Sequence, residues 1–259
     1  MNIKSINLLD CTLRDGGYYN NWNFSRSVIQ KYINDISSTG INHVELGFRF
    51  KEIKKIKGLT AYTDQNLLKK LKIPNNINIG IMINASDLIK NNSLKMQVLK
   101  KLISKHNKKK LSFIRFACHF NEIFYLEKCF SYLRKLNLKV FLNIMQISEL
   151  KFIQLDKITS FLKNKKIEAI YLADSLGALK PKALKNIIIH LKKSWDHEIG
   201  LHAHNNLNLA LKNSIKAINN GVQWIDSTIT GMGRGPGNLK TEDILKYCNN
   251  YKTTKNFLN

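Results

Sequence analysis

The stretch Glu198-Ile199-Gly200-Leu201-His202-Ala203-His204 decides how this chain is read. Side chains alternate between the two faces of a strand. As a strand, it turns Ile199, Leu201 and Ala203 to one side and Gly200, His202 and His204 to the other. The first side suits a covering layer of helices. The second is small and then polar. A single inward His is more often a hydrogen-bonded core residue. Two at i and i+2, at the C-terminal end of a strand, project together and can share one metal ion.

Working outward, the same alternation recurs along the chain. Candidate strands are Ile6–Thr12, His43–Phe48, Ile77–Asn84, Leu111–His119, Val140–Gln146, Ala169–Ser175, Glu198–His204 and Trp224–Thr230. Amphipathic stretches such as Arg26–Ser38, Ile123–Leu136, Pro181–Lys193 and Leu207–Asn220 separate them. Eight βα units in 259 residues predict an α/β fold, a (β/α)₈ TIM barrel, with an open doubly wound sheet as the main competitor. Parity favours the barrel. Ile77, Ile79, Ile81 and Ile83 are expected to face the helices, with Asn78, Gly80, Met82 and Asn84 inside. Val44, Leu46 and Phe48 are expected outside, with His43 and Glu45 inside. Ile225 and Ile229 are expected outside, with Asp226, Thr228 and Thr230 inside. The inward set reads as polar and small. Buried polar groups need hydrogen bonds or a metal. Their concentration toward the strand C-termini, where barrel active sites lie, is a functional signal.

Composition narrows the classes. Apolar residues make up 44% of the chain, which is globular and not disordered. No apolar run reaches the ~20 residues of a membrane helix. The start has no signal-peptide pattern. Cys11, Cys118, Cys129 and Cys248 are scattered without a CxxC, so free thiols and a cytoplasmic location are expected. The net charge of +24 raises the question of nucleic acid. Only six of the 42 basic residues are Arg, and Arg is the residue whose planar fork reads bases and phosphates. The lysines, apart from a dense run at 108–110, are spread over most helices, as AT-rich coding produces. Neither a nucleic-acid nor a membrane partner is expected.

The chemistry gathers around the paired histidines. Asp15 follows the first strand, and Asn238 lies in the loop after the eighth. In a closed barrel the seventh, eighth and first strands are neighbours, so Asp15, His202, His204 and Asn238 make a compact candidate metal site. Two imidazoles with oxygen ligands suit Mn²⁺, Mg²⁺, Co²⁺ or Zn²⁺. Arg14 is a candidate for gripping a carboxylate or stabilising a developing enolate, with Glu45 as the partner that orients it. A buried Glu without such a partner would be costly. The run Gly231-Met232-Gly233-Arg234-Gly235-Pro236-Gly237-Asn238 lacks the Lys-Ser/Thr ending of a phosphate loop. It is read as bringing backbone close to the metal and ligand before a helix that opens at Thr241-Glu242-Asp243.

These residues carry a resemblance. Asp10-Cys11-Thr12-Leu13-Arg14-Asp15-Gly16, Glu45, Gly200–Asn206 and Gly231–Asn238 together resemble the DRE-TIM metallolyases, the HMG-CoA-lyase-like superfamily. Tyr171–Ala178 and His202–Leu209 are similar to the sixth and seventh units of the 4-hydroxy-2-oxovalerate aldolase catalytic domain. The resemblance implies Asp15, His202 and His204 on a divalent metal, Mn²⁺ or Mg²⁺ first, with Arg14 on the enolate oxygen of a pyruvate-type 2-oxo acid that reacts with an aldehyde. Three departures follow. Tyr18 stands where the aldolases carry a catalytic His, so Tyr18 is a candidate acid or hydrogen-bond donor, and a metal-bound water, His119 or Tyr19 is left as the base. The chain is expected to be one catalytic barrel over residues 1–259, with no C-terminal communication or regulatory domain and hence no dehydrogenase channelling partner. The glycine-rich loop lacks the cysteine of HMG-CoA lyase. Tyr18, Tyr19, Trp22, Arg49, His119 and Asn143 are candidates for the acceptor side, and Arg49 is otherwise an exposed surface residue. Two other readings stand beside the aldolase. One is a Claisen-type acyltransferase joining an acyl-CoA to a 2-oxo acid. The other is a non-catalytic basic binding protein. A homo-oligomer is compatible with all three.

Overall fold

The computed structural model describes residues 6–52, 56–103 and 110–248. The expected lysine run at 108–110 falls mostly outside them. Eight parallel strands close on themselves: β1 (Asn7–Asp10), β2 (His43–Phe48), β3 (Asn78–Asn84), β4 (Phe113–Cys118), β5 (Lys139–Ile144), β6 (Ala169–Asp174), β7 (Glu198–Ala203) and β8 (Trp224–Ser227). Each pairs with its sequence neighbours, and β1 pairs with β8 from Asn7↔Trp224 to Asp10↔Ser227. This is the TIM barrel, not an open sheet.

The outer helices are α1 (Arg26–Ser37), α2 (Gln65–Lys70), α3 (Met96–Leu102), α4 (Glu127–Lys135), α5 (Phe152–Leu162), α6 (Pro181–Leu191), α7 (Ala210–Asn219) and α8 (Thr241–Tyr247). Their starts follow local chemistry. The Ser25 hydroxyl caps α1 by accepting from the Val28 N–H, and the Asp64 carboxylate caps α2 by accepting from Leu67. Pro181 opens α6, where its missing N–H costs nothing. Helix α1 buries Ile29, Tyr32, Ile33 and Ile36, one stripe at helical spacing. That stripe joins Ile79, Ile81, Ile83, Leu201 and Ile225 in the layer between strands and helices.

The interior differs from the sequence expectation in three ways. Its N-terminal half is aromatic: Phe113, Phe141, Tyr171 and Trp224 pack with Leu9, Cys11 and Ala169, and the Phe141 and Trp224 rings lie 5.0 Å apart. Glycines make the room. A Cβ at Gly80 would stand 1.9 Å from the Phe113 ring, and one at Gly200 2.5 Å from Tyr171. Secondly, Phe48 faces the barrel mouth. A bulge between Glu45 and Gly47 shifts the register of β2 against β3, and Gly47 lets the Thr60 backbone approach. Phe48 therefore packs with Trp22, Met82 and Ala117. Thirdly, β8 ends at Ser227. Thr228 is buried, but Thr230 is exposed with φ 57°, so it does not face inward.

Candidate active site

A layer of buried charge lies above the aromatic floor. Glu45 is fully buried and gives both oxygens to Arg115, from Nε at 2.8 Å and Nη2 at 2.6 Å. Arg115 Nη1 donates to Asp226 Oδ2 at 2.6 Å, and the guanidinium sits 4.5 Å over the Tyr171 ring. Asp226 Oδ2 also meets His202 Nδ1 at 2.8 Å. Burial alone would raise the Asp226 pKa, but Arg115 and His202 outweigh it and hold the carboxyl below 3.8.

The next layer up is the site. Thr12–Asp15 form one helical turn directly after β1, with all four residues buried, and this turn tips Arg14 and Asp15 inward. Arg14 Nε donates to Glu45 Oε2 at 2.7 Å and Nη1 to Asp15 Oδ1 at 2.6 Å. Its Nη2 is buried and has no partner. Asp15 Oδ2 faces His202 Nε2 at 3.2 Å and accepts from Asn238 Nδ2. Burial would raise Asp15, yet Arg14 and His202 drive it far below the usual carboxylate range. His202 is pulled the other way. Burial lowers its pKa, but Asp15 and Asp226 raise it above 6.5. His204, its ring 5.1 Å from that of His202, is pushed down to about 4 by burial and by His202, so it is neutral at pH 7.

The glycine-rich loop seats the last member. The Asn205 N–H donates to Gly237 O, and His204 bridges to Asn238 across the backbone. A Cβ at Gly233 would stand 2.5 Å from the Asn238 amide, so only glycine admits that side chain. Asn238 Oδ1 is left buried without a partner.

Asp15 meets His202 and Asn238 directly, and His204 stands beside His202 with the rings 5.1 Å apart. Among the His, Cys, Asp and Glu side chains of the described residues, the set of three whose ligand atoms lie within 4.8 Å of one another is Cys11, Asp15 and His202, which leaves His204 outside that distance. Carboxylate, imidazole and unpaired amide oxygen donors of this kind fit a divalent cation. Cys11, unremarked in the sequence as a ligand, brings its sulfur within 4.8 Å of ligand atoms of Asp15 and His202. A thiolate is the form that binds metal. Burial lifts the Cys11 thiol well above 9.0, and it donates to Ser227 O at 3.4 Å, so the sulfur is held as a neutral thiol.

A small cavity of about 80 Å³ is lined by Arg14, Asp15, His202 and His204 together with the apolar Phe48, Met82, Ala117 and Met145. The HMGL-like family profile matches residues 5–256. The chain belongs to the HMGL-like family. This DRE-TIM family is one of lyases, and the chain is an enzyme. It is 26% identical over 249 residues to the 4-hydroxy-2-oxovalerate aldolase of Carboxydothermus hydrogenoformans, over 93% of this chain and 70% of that one. It is 23% identical over 244 residues to the oxaloacetate decarboxylase of Mycobacterium tuberculosis, over 92% and 68%. The N-terminal domain of a candidate aldolase from Bacteroides vulgatus superposes with a TM-score of 0.84 at 34% identity, covering 98% of this chain and 81% of that one.

In this HMGL-like barrel the remaining candidate residues separate. Tyr18 lines the cavity with 43% of its surface still exposed, and its partial desolvation there raises its pKa above 10, so it keeps its proton. Asn143 lines it too, with Oδ1 unpartnered. Trp22 stands behind, donating to Arg14 O at 2.8 Å. His119 does not join the site. It is exposed at the start of a 3₁₀ turn, where its N–H donates to Glu122 Oε2. Tyr19 is 64% exposed and lies away from the cavity lining. Arg49 is neither exposed nor in the cavity. It is buried, and its guanidinium donates to the carbonyls of Thr63 and Leu102, pinning the turn before α2 to the end of α3. The residue that sequence reasoning passed over is Arg115. Its signal was parity: in Phe113–Cys118, Phe113, Arg115 and Ala117 share the inward face.

Proposed function

We propose that this enzyme is an aldolase-type carbon–carbon lyase acting on a pyruvate-type 2-oxo acid, with a divalent cation, Mn²⁺ or Mg²⁺, held by Asp15, His202, His204 and Asn238. One observation carries the reading. Arg14 lines the cavity and is fixed along two edges by Glu45 and Asp15, while its third nitrogen is buried and unpaired. A donor held in place with nothing to bond suits an oxygen that becomes negative during reaction.

When bound, the cation supplies Lewis-acid polarisation of the 2-oxo group. The protein supplies the rest. Arg14 Nη2 donates to the enolate oxygen, and Glu45 and Arg115 keep that donor from reorienting. Asp226 accepts a hydrogen bond from the His202 Nδ1–H, which leaves Nε2, the nitrogen facing Asp15, as the atom that would ligate the cation. Tyr18, protonated at neutral pH, donates to the aldehyde oxygen on the opposite side. Phe48, Met82, Ala117 and Met145 exclude water from the enolate.

A second reading, decarboxylation of a 2-oxo acid through the same enolate, has the support of the Mycobacterium tuberculosis relative. One assay separates them. Protein with Mg²⁺ is given a 4-hydroxy-2-oxo acid (4-hydroxy-2-oxovalerate or its dicarboxylate analogue 4-hydroxy-2-oxoglutarate) or oxaloacetate, and pyruvate is followed with lactate dehydrogenase against a metal-only blank. Pyruvate with an aldehyde from the hydroxy acid, lost in Asp15→Asn, supports the aldolase. Pyruvate from oxaloacetate alone supports the decarboxylase. Release from neither overturns both.

A further inference from the structure

The reaction above leaves one charged group of the cavity without a role. Arg234, on the glycine-rich loop, lines the same cavity as Arg14 and Asp15. Its guanidinium lies 5.9 Å from the centre of the Tyr18 ring, turned over the mouth although the residue is exposed. It is close enough to Tyr18 and His204 to favour the deprotonated form of each.

The deeper arginines are already neutralised, Arg14 by Asp15 and Glu45, and Arg115 by Glu45 and Asp226. Arg234 has no carboxylate partner among the described residues. Among the described residues the only acid lining the cavity is Asp15, which is engaged by Arg14, His202 and Asn238. Of the other polar lining groups, Asn84, Asn143, Ser175 and Tyr18 are uncharged, and His202 and His204 carry no negative charge to pair with Arg234. A ligand held by one end at Arg14 and Asp15 therefore meets a free guanidinium at its other end. A planar fork of N–H donors matches a carboxylate in two-point geometry. The interior of about 80 Å³ admits only a short chain between the two ends.

We propose that Arg234 is a specificity-determining residue that binds a second carboxylate at the far end of the substrate. The substrate or aldol adduct is then a short 2-oxo dicarboxylate, not one that ends in an alkyl group. This rests on the functional reading above, in which a 2-oxo acid sits against Arg14.

The test compares two acids of equal length, 2-oxoglutarate and 2-oxovalerate, by calorimetric titration of the whole chain with Mg²⁺ present. One charge-assisted contact is worth roughly a tenfold difference in Kd. Wild type is expected to bind 2-oxoglutarate about tenfold tighter. Arg234→Gln is expected to remove that preference while leaving 2-oxovalerate within about twofold, and Arg234→Lys to keep part of it. Lys185→Gln, an exposed change on α6, controls for the general positive field and is expected to leave the preference intact. The proposal falls if wild type binds the two acids alike, or if Arg234→Gln weakens both equally. If wild type and Asp15→Ala bind neither acid, the functional reading fails, and this inference with it.

Discussion

Replacing Arg115 with Met removes the cation at the centre of the barrel. Arg115 makes three bonds of 2.6–2.8 Å to Glu45 and Asp226, and essentially none of the three side chains reaches solvent. Without it, Glu45 keeps only Arg14, and Asp226 only His202. Two arginines stand against Asp15, Glu45 and Asp226 in the wild type, and one would remain. Breaking a buried pair by deleting one partner costs about 3–5 kcal/mol. With two carboxylates stranded, the loss belongs at the upper end, about 5 kcal/mol. In urea, with a slope of about 3 kcal/mol per M, the midpoint falls by more than about 1 M. The deficit shrinks as pH falls, because Asp226 without Arg115 takes up a proton that the wild-type carboxyl, held below 3.8, resists. Adding Glu45→Gln removes one stranded charge and is expected to recover more than about 1 kcal/mol of the loss. An Arg115→Met protein that unfolds within about 1 kcal/mol of wild type would refute the picture of a coupled ionic layer.

Three further outcomes follow from individual contacts. Gly80→Ala drives a methyl into the Phe113 ring, and overpacking of about 3 kcal/mol lowers Tm by about 6–12 °C, read by calorimetry; an unchanged Tm would mean the floor is loosely packed. His43, its ring 4.7 Å from Trp224, is depressed to about 4 by burial and by Lys139. The unfolded chain therefore binds a proton that the folded one refuses, so stability falls by up to about 3 kcal/mol as pH drops from about 6.5 to 4. His43→Phe flattens that slope in urea titrations across the window. Cys11→Ser leaves Mn²⁺ affinity within about threefold, whereas His204→Ala lowers it by about 100-fold or more, and the reverse pattern would make the thiol the ligand.

Much of this was legible in strand parity. Ile79, Ile81 and Ile83 face the helices, and His202 with Asp226 faces inward, as two-residue alternation requires. The meeting of Asp15, His202 and Asn238 follows from barrel closure alone, since β7, β8 and β1 are adjacent. Alternation also marks the limit. At Glu45–Gly47 the backbone slips by one residue, and everything after the bulge, Phe48 first, changes face. No local pattern announces that slip, and the close partner at the bulge, the Thr60 backbone against Gly47, is distant in sequence. Arg49 was unreadable for a similar reason. Its partners are carbonyls 14 and 53 residues away. Arg115 sat in an apolar run whose inward face was readable, but its role needed Glu45 and Asp226 brought beside it from two other strands.

Exchange of the pyruvate methyl protons with D₂O tests the central claim most directly. Wild type with Mg²⁺ is predicted to exchange them well above the metal-only rate. Arg14→Gln, which removes the unpaired donor while keeping a polar side chain, is predicted to slow exchange by about 100- to 1,000-fold, and Asp15→Ala to abolish it. Full-rate exchange in Arg14→Gln, or none in wild type with any divalent ion, would contradict an enolate held by Arg14.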